Sequence, residues 1–224
     1  MFIAFDLDGT LADPSEGVTN GINHTLRRLG RPERPPGELL KYIGPPTEWI
    51  FGDVLNTSDR ELVEEARTIF TEFYRTDGYR QNVLYPGTLQ MIETLTQSGH
   101  YLVVVTSKSE SGAKAAAKHF RLNEYFKGVF GRINNCNKVD SLKQALSTTS
   151  IRPAAMIGDR KFDIAAGKVC GCTTIGVTYG FGTSDELRLA SPDHLVQTQN
   201  EIPALIEKIA ETVAINCSVK ISST

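Results

Sequence analysis

The sequence predicts an α/β protein: a doubly wound parallel sheet with a block of α-helices inserted behind its first strand. Three observations carry this. The chain opens on an apolar run, Phe2 to Phe5, that ends abruptly in acids at Asp6 and Asp8, as a buried central strand does when helices cover both its faces. From Tyr85 onward, strand-sized apolar runs alternate with helical periods, the pattern of a parallel sheet. Between the two lies a stretch, residues 15–84, rich in helical and poor in strand pattern and too long for a simple crossover. The expected division is a core of residues 1–14 and 85–224 with an inserted α-helical cap of residues 15–84.

In the insertion, Ser15 and Glu16 start a helix through Leu29, with Val18, Ile22, Leu26 and Leu29 near the helical period and Gly30 ending it. A Pro-rich connection, Arg31 to Gly37, leads to a short helix and then to G-P-P-T-E-W-I-F at Gly44 to Phe51. Ser58 or Asp59 caps a long helix through about Tyr74, with Leu62, Val63, Ala66, Ile69, Phe70 and Phe73 on its apolar side. In the core, helices are expected over Thr88–Ser98, Glu110–Phe120, Val139–Leu146, Ile164–Cys170, Glu186–Ala190 and Glu201–Ala214. Strands are expected over Tyr101–Thr106, Gly128–Phe130, Ala154–Asp159 and Thr173–Val177.

Composition narrows the function classes. A chain of 224 residues with 40% hydrophobic content supports one sizeable core with room for a smaller insertion. A net charge of -2 provides no basic footprint for a nucleic acid polymer or an anionic membrane. The apolar runs are strand-sized, so no membrane span is expected, and the acids at Asp6 and Asp8 interrupt what would be the apolar part of a secretory leader. Cytoplasm is the expected compartment. Cys136, Cys170, Cys172 and Cys217 follow no metal or redox spacing, since Cys170 and Cys172 form C-x-C, and read as ordinary thiols. Oligomeric state is not legible.

The chemistry concentrates at strand ends. Side chains two apart on an extended chain point the same way, so Asp6 and Asp8 address one point while Leu7 faces the other side. Two adjacent buried carboxylates are costly unless chemistry or a cation uses them; a loop cap or a structural cation is the plainer use. Thr106 closes a strand and is followed by Ser107 and Lys108. Lys138 stands just before a helix in N-K-V-D-S-L, and M-I-G-D-R-K-F-D puts Asp159 at a strand end and Asp163 in the first turn of the next helix. Asp163 there has an ordinary use as a helix cap. The roles of Lys108 and Arg160 stay open.

The opening M-F-I-A-F-D-L-D-G-T-L-A-D, with the segments just quoted, resembles the four motifs of the haloacid dehalogenase superfamily, whose core is Rossmann-like. The resemblance implies a hydrolase in which Asp6 attacks phosphorus to give an aspartyl phosphate, while Asp8 acts as general acid and then base. It further implies that Thr106, Ser107 and Lys138 hold the phosphoryl group. Mg²⁺ would be bound by Asp6, the Asp8 carbonyl and Asp159, with Asp163 orienting a ligand water. G-P-P, L-Y-P-G and Y-G-F-G-T at Tyr179 to Thr183 are similar to the branch holding phosphoglycolate phosphatases and 5'-nucleotidases, with a C1-type α-helical cap. Asp8 speaks against carbon–halogen cleavage, because dehalogenases lack this second acid. The remaining alternatives are a sugar-phosphate mutase of the β-phosphoglucomutase type, which shares all four motifs, and a non-catalytic binding protein.

The expected partner is thus a small phosphomonoester. Gly44, Pro45 and Trp49 are the cap residues expected to set its identity, because a rigid turn running into a helix can project side chains over the strand ends. Trp49 has two readings: an anchor in the cap's own core, or, it or its neighbour Phe51, a stacking surface for a nucleobase. G-D-R-K-F-D-I, with Arg160, also resembles the fourth motif of the 5'-nucleotidase-like branch, which implies 5'-nucleotides at least competitive with phosphoglycolate as substrates.

Overall fold

The computed structural model describes residues 1–134 and 136–221. Its centre is a six-stranded, wholly parallel sheet. The strands are β1 (Phe2–Phe5), β4 (Tyr101–Ser109), β5 (Val129–Arg132), β6 (Ala154–Gly158), β7 (Thr173–Val177) and β8 (His194–Val196), in the spatial order β5-β4-β1-β6-β7-β8. From β1 the chain builds outward through β4 and β5, then returns to the other side of β1 with β6 and continues to β8. The order therefore reverses between β1 and β6, where ligands of such sheets collect beyond the strands' carboxyl ends.

Alternation along the strands explains the two faces. Ile3, Phe5, Leu102, Val104, Ala155, Ile157, Ile175 and Val177 point to one side. There they meet Met91, Ile92 and Leu95 of α5 (Thr88–Gln97), Ala116 and Ala117 of α6 (Glu110–His119), and Ile202, Ile206 and Ile209 of α10 (Glu201–Ile221). Phe2, Ala4, Val103, Val105, Ala154 and Met156 point to the other, against Leu142, Ala145 and Leu146 of α7 (Lys138–Ser147) and Ala166 of α8 (Lys161–Val169). The short α9 (Ser184–Ala190) packs beside α8 and buries Leu187.

The inserted helices form a layer over the carboxyl ends of the strands. They are α1 (Ser15–Arg28), α2 (Pro36–Leu39), α3 (Thr47–Leu55) and α4 (Arg60–Thr76). They enclose an apolar cluster of their own, including Ile22, Leu26, Leu39, Tyr42, Phe51 and Phe70. Asp59 caps α4, its Oδ1 accepting from the Glu61 N–H at 2.9 Å. On α4 the fully inward line is Ala66, Phe70 and Tyr74, whereas Leu62, Val63, Ile69 and Phe73 are half-buried; the expected apolar side is rotated toward Tyr74.

The two joins between core and insertion pair with each other. β2 (Ala12–Asp13) and β3 (Val83–Leu84) pair antiparallel, Ala12 with Leu84 and Asp13 with Val83, so entry and exit form one ribbon. Two residues per strand are too few to show a period of two. β4 also runs past Thr106 to Ser109, through a register shift against β5. Cys136, Cys170 and Cys172 are free thiols, and Cys217 lies outside the residues whose side chains are described. Among the described residues no helix is long and apolar enough to cross a membrane.

Candidate active site

Asp6 directly follows β1. Its N–H donates to the Ile157 carbonyl of β6 at 2.8 Å, which brings the ends of the two strands level. Asp159 follows β6 directly, so both acids emerge side by side at the point where strand order reverses. One oxygen each of Asp6, Asp159 and Asp163 lies within 4.8 Å of the others, and all three residues are buried.

Lys138, in the first turn of α7, enters this cluster. Its Nζ stands 2.8 Å from Asp6 Oδ2 and bonds Asp163 Oδ1. Asn137 accepts from the Val139 N–H at 2.8 Å while Asp140 accepts from the Asn137 N–H at 2.9 Å, a reciprocal cap that fixes the start of α7 and hence the lysine. Burial works against the Lys138 ammonium, but Asp163 and Asp6 hold its pKa above the ordinary lysine value.

Asp159 is enclosed by the Y-G-F-G-T loop. The N–H groups of Phe181 and Gly182 donate to its Oδ2 at 2.8 and 3.3 Å, while its buried Oδ1 has no partner among the described residues. Gly9, at φ +81°, must be glycine: a Cβ there would sit 2.2 Å from Asp159 Oδ2. Burial, with Asp163 and Asp6 adjacent, pushes Asp159 up to about 7. Burial pushes Asp163 up to about 6 against the pull of Lys138. Carboxyls held so high in a sealed cluster, with an unmatched oxygen, fit a divalent cation of the oxygen-seeking kind. Asp163 already serves Lys138 through Oδ1 and the Arg160 N–H through Oδ2 at 2.9 Å. Asp6 is engaged as well, Oδ2 by Lys138 and Oδ1 by the Leu7 N–H at 2.8 Å, so Asp159 Oδ1 is the one carboxylate oxygen of the three residues without a partner among the described residues.

Asp8 lies on the side facing the inserted helices. Lys108 Nζ is 2.8 Å from Asp8 Oδ2 and donates to the Tyr74 hydroxyl of α4 at 2.9 Å. Asn82 Nδ2 donates to the same hydroxyl at 2.7 Å. Burial pushes the Asp8 carboxyl up, against the pull of Lys108. Thr106 is buried, its Oγ1 accepting from the Lys108 N–H at 3.3 Å.

Between the sheet and the inserted helices is a cavity of about 290 Å³ whose wall includes Asp8, Ser107, Lys108, Gly44, Pro45 and Tyr42. Asp6, Thr106, Lys138 and Asp159 lie outside that wall. So does Trp49, which is 53% exposed and leans on Tyr42 at 5.9 Å between ring centroids. It is neither an anchor of the helical cluster nor a cavity residue; Phe51, two residues on, takes the core place and is fully buried.

A model of the haloacid dehalogenase-like hydrolases matches residues 3–177. The chain belongs to this family. A 5'-nucleotidase of Pseudomonas aeruginosa is 36% identical over 197 residues, covering 86% of this chain and 89% of that protein. A phosphoglycolate phosphatase of Vibrio vulnificus is 29% identical, covering 88% and 91%. The solved structure of a haloacid dehalogenase-like hydrolase from Streptococcus pneumoniae superimposes with a TM-score of 0.84 at 31% identity, covering 92% and 97%. The protein is accordingly a phosphatase of this hydrolase family.

Of three further polar side chains at this hydrolase's site, Lys108 and Arg160 were named in the sequence with their roles open, and Arg132 was not singled out. Lys108 carried a signal, standing two residues beyond Thr106 at a strand end. Arg132 ends β5 one residue beyond a glycine. Arg160 bonds Glu186 at 2.9 Å and the Ile43 carbonyl next to Gly44, tying core to insertion.

Proposed function

We propose that this phosphatase hydrolyses small phosphomonoesters through a phosphoryl group carried on Asp6, with Mg²⁺ as its metal. The observation that carries the reading is the convergence of Asp6, Asp159 and Asp163 on Lys138 at the ends of β1 and β6. A carboxylate and a phosphate oxygen at ~4 Å repel by roughly 4 kcal/mol per unit charge pair at an effective dielectric near 20. Lys138 offsets part of that charge. Mg²⁺, held by Asp6, Asp159 and the Asp8 carbonyl, supplies the remainder when bound.

In the first step an Asp6 oxygen bonds to phosphorus, the bond to the ester oxygen breaks, and Asp8 gives its proton to the leaving alkoxide. In the second, Asp8 takes a proton from a water whose oxygen bonds to phosphorus, releasing inorganic phosphate and regenerating Asp6. A half-buried Asp8 with a raised pKa suits the donor role, and Lys108 holds its carboxylate in place. Lys138, Thr106 and Ser107 orient the phosphoryl oxygens, and Asp163 positions the Lys138 ammonium.

The inserted helices act as a cap that opens. The Asp6 side chain is 7% exposed, so an ester reaches it only when α1–α4 move away from the strand ends. Side-chain ties between the two layers include the polar contacts Lys108 to Tyr74, Arg132 to Glu48 and Arg160 to the Ile43 carbonyl, which water can replace when the layers part. The β2–β3 ribbon is the hinge.

The names of the relatives point to 5'-nucleotides and phosphoglycolate as the first substrates to assay. Phosphate release from both, and from hexose phosphates, tests the reading with Mg²⁺ present. Turnover is expected for small esters and is expected to fall about 10⁴-fold or more in Asp6→Asn. Undiminished turnover in that variant overturns the assignment.

A further inference from the structure

Apart from the Asp8–Lys108 pair, the charged residues of the cavity wall are all cationic. Arg67 and Arg75 of α4 and Arg132 at the end of β5 all line it. Asp8 is the one acid of that wall, and Lys108 already pairs with it. The Arg67 and Arg132 side chains are only 25% and 22% exposed. Their acidic partners, Glu48 and Glu64, are 43% and 65% exposed and are not part of the wall. Counter-charge therefore stands toward solvent, while guanidinium charge borders the cavity. Arg67 is committed, to Thr47, Glu48 and Glu64. Arg132 uses only Nη1, on Glu48, among the described residues, which leaves the rest of its fork unspent.

A neutral alcohol leaving group would leave the Arg67 and Arg132 charge answered only by Glu48 and Glu64, which are outside the partly desolvated wall. A planar guanidinium fork matches a carboxylate or a phosphate. We propose that Arg132, backed by the charge of Arg67, binds a second anionic group on the alcohol half of the substrate. The preferred esters are then phosphomonoesters whose leaving group carries a carboxylate or another phosphate. This rests on the phosphatase reading above, with the reacting phosphoryl group at Asp6.

Matched pairs test it: phosphoglycolate against 2-hydroxyethyl phosphate for the carboxylate, and propane-1,3-diyl bisphosphate against 3-hydroxypropyl phosphate for the phosphate. In the unaltered protein kcat/KM should favour at least one acidic member by about tenfold or more, the worth of one charge-assisted pair. Whichever pair discriminates identifies the group. In Arg132→Gln the preference should fall to within about threefold, whereas loss of the tie to Glu48 lowers both members of a pair alike and leaves their ratio unchanged. Arg67→Gln is the second variant should Arg132→Gln not fold, and it should weaken the same preference. Equal kcat/KM within both pairs overturns the assignment, as does an equal loss for both members, which would make Arg132 a tie to Glu48 alone. If no ester is turned over, calorimetric binding separates the two claims. Tighter binding of an acidic ester that Arg132→Gln abolishes upholds the arginine site while the phosphatase reading falls; equal binding overturns both.

Discussion

The Lys138 ammonium and the Asp6 carboxylate are held 2.8 Å apart, although they come from elements 132 residues apart in the chain. Lys138 is the cation that reaches the buried carboxylates, and it also bonds Asp163. Lys138→Met would leave Asp6, Asp159 and Asp163 facing each other uncompensated. The expected result is a fall in kcat of about 10²–10³-fold and a loss of folding stability of roughly 3–5 kcal/mol at pH 8, as when one partner of a buried pair is removed. Steady-state kinetics and urea unfolding of the variant check both.

Metal-free protein should be more stable in mild acid than in mild base. Asp159 and Asp163 are pushed up to about 7 and about 6 from 3.8, so between pH ~4 and ~7 the folded state binds protons that the unfolded state has lost. Their contribution therefore turns against folding as pH rises through that window and is fully adverse above it. Mg²⁺ relieves the adverse charge, so the rise in Tm on adding Mg²⁺ should be larger at pH 8 than at pH 5.5. Equal rises at the two pH values would contradict this, and EDTA should reverse both the stabilisation and the activity.

The Tyr74 hydroxyl receives hydrogen bonds from Lys108 and Asn82. Tyr74→Phe leaves two buried donors short of an acceptor, at an expected cost of about 1–3 kcal/mol. Because Lys108 holds Asp8, kcat should fall by about tenfold with KM nearly unchanged. Denaturation and initial-rate measurements on this variant report the two effects separately.

Trp49→Leu is expected to be nearly silent. The side chain is exposed and outside the cavity, so turnover of 5'-nucleotides should change by less than about twofold, as for surface changes away from a site. A tenfold loss confined to nucleotides would instead put Trp49 on the substrate.

What the chain disclosed in advance follows from the physics of each signal. An apolar run that stops at an acid marks a buried strand delivering a carboxylate, and β1 with Asp6 and β6 with Asp159 both show it. Asp159's donors come from Phe181 and Gly182, backbone groups whose side chains say little about them. The β2–β3 ribbon was invisible because each strand has two residues. Arg132 looks like any solvated cation in sequence, and Lys108 shows only its place beyond a strand end; the folded layers reveal that Lys108 meets Asp8 and Arg132 borders the cavity. On α4, a small rotation of the buried line exchanged Phe73 for Tyr74, and with it an inward hydroxyl. Trp49 misled because size alone does not say whether an aromatic ring is covered.

The covalent step is the central claim, and rapid acid quench with a ³²P-labelled phosphoester measures it directly. With Mg²⁺ present, label should appear on the protein within the first turnover, resist acid, be released by hydroxylamine, and map to the peptide carrying Asp6. It should be absent from Asp6→Asn. Label on another residue, or steady phosphate release with no labelled protein at any quench time alongside undiminished turnover in Asp6→Asn, would contradict the account.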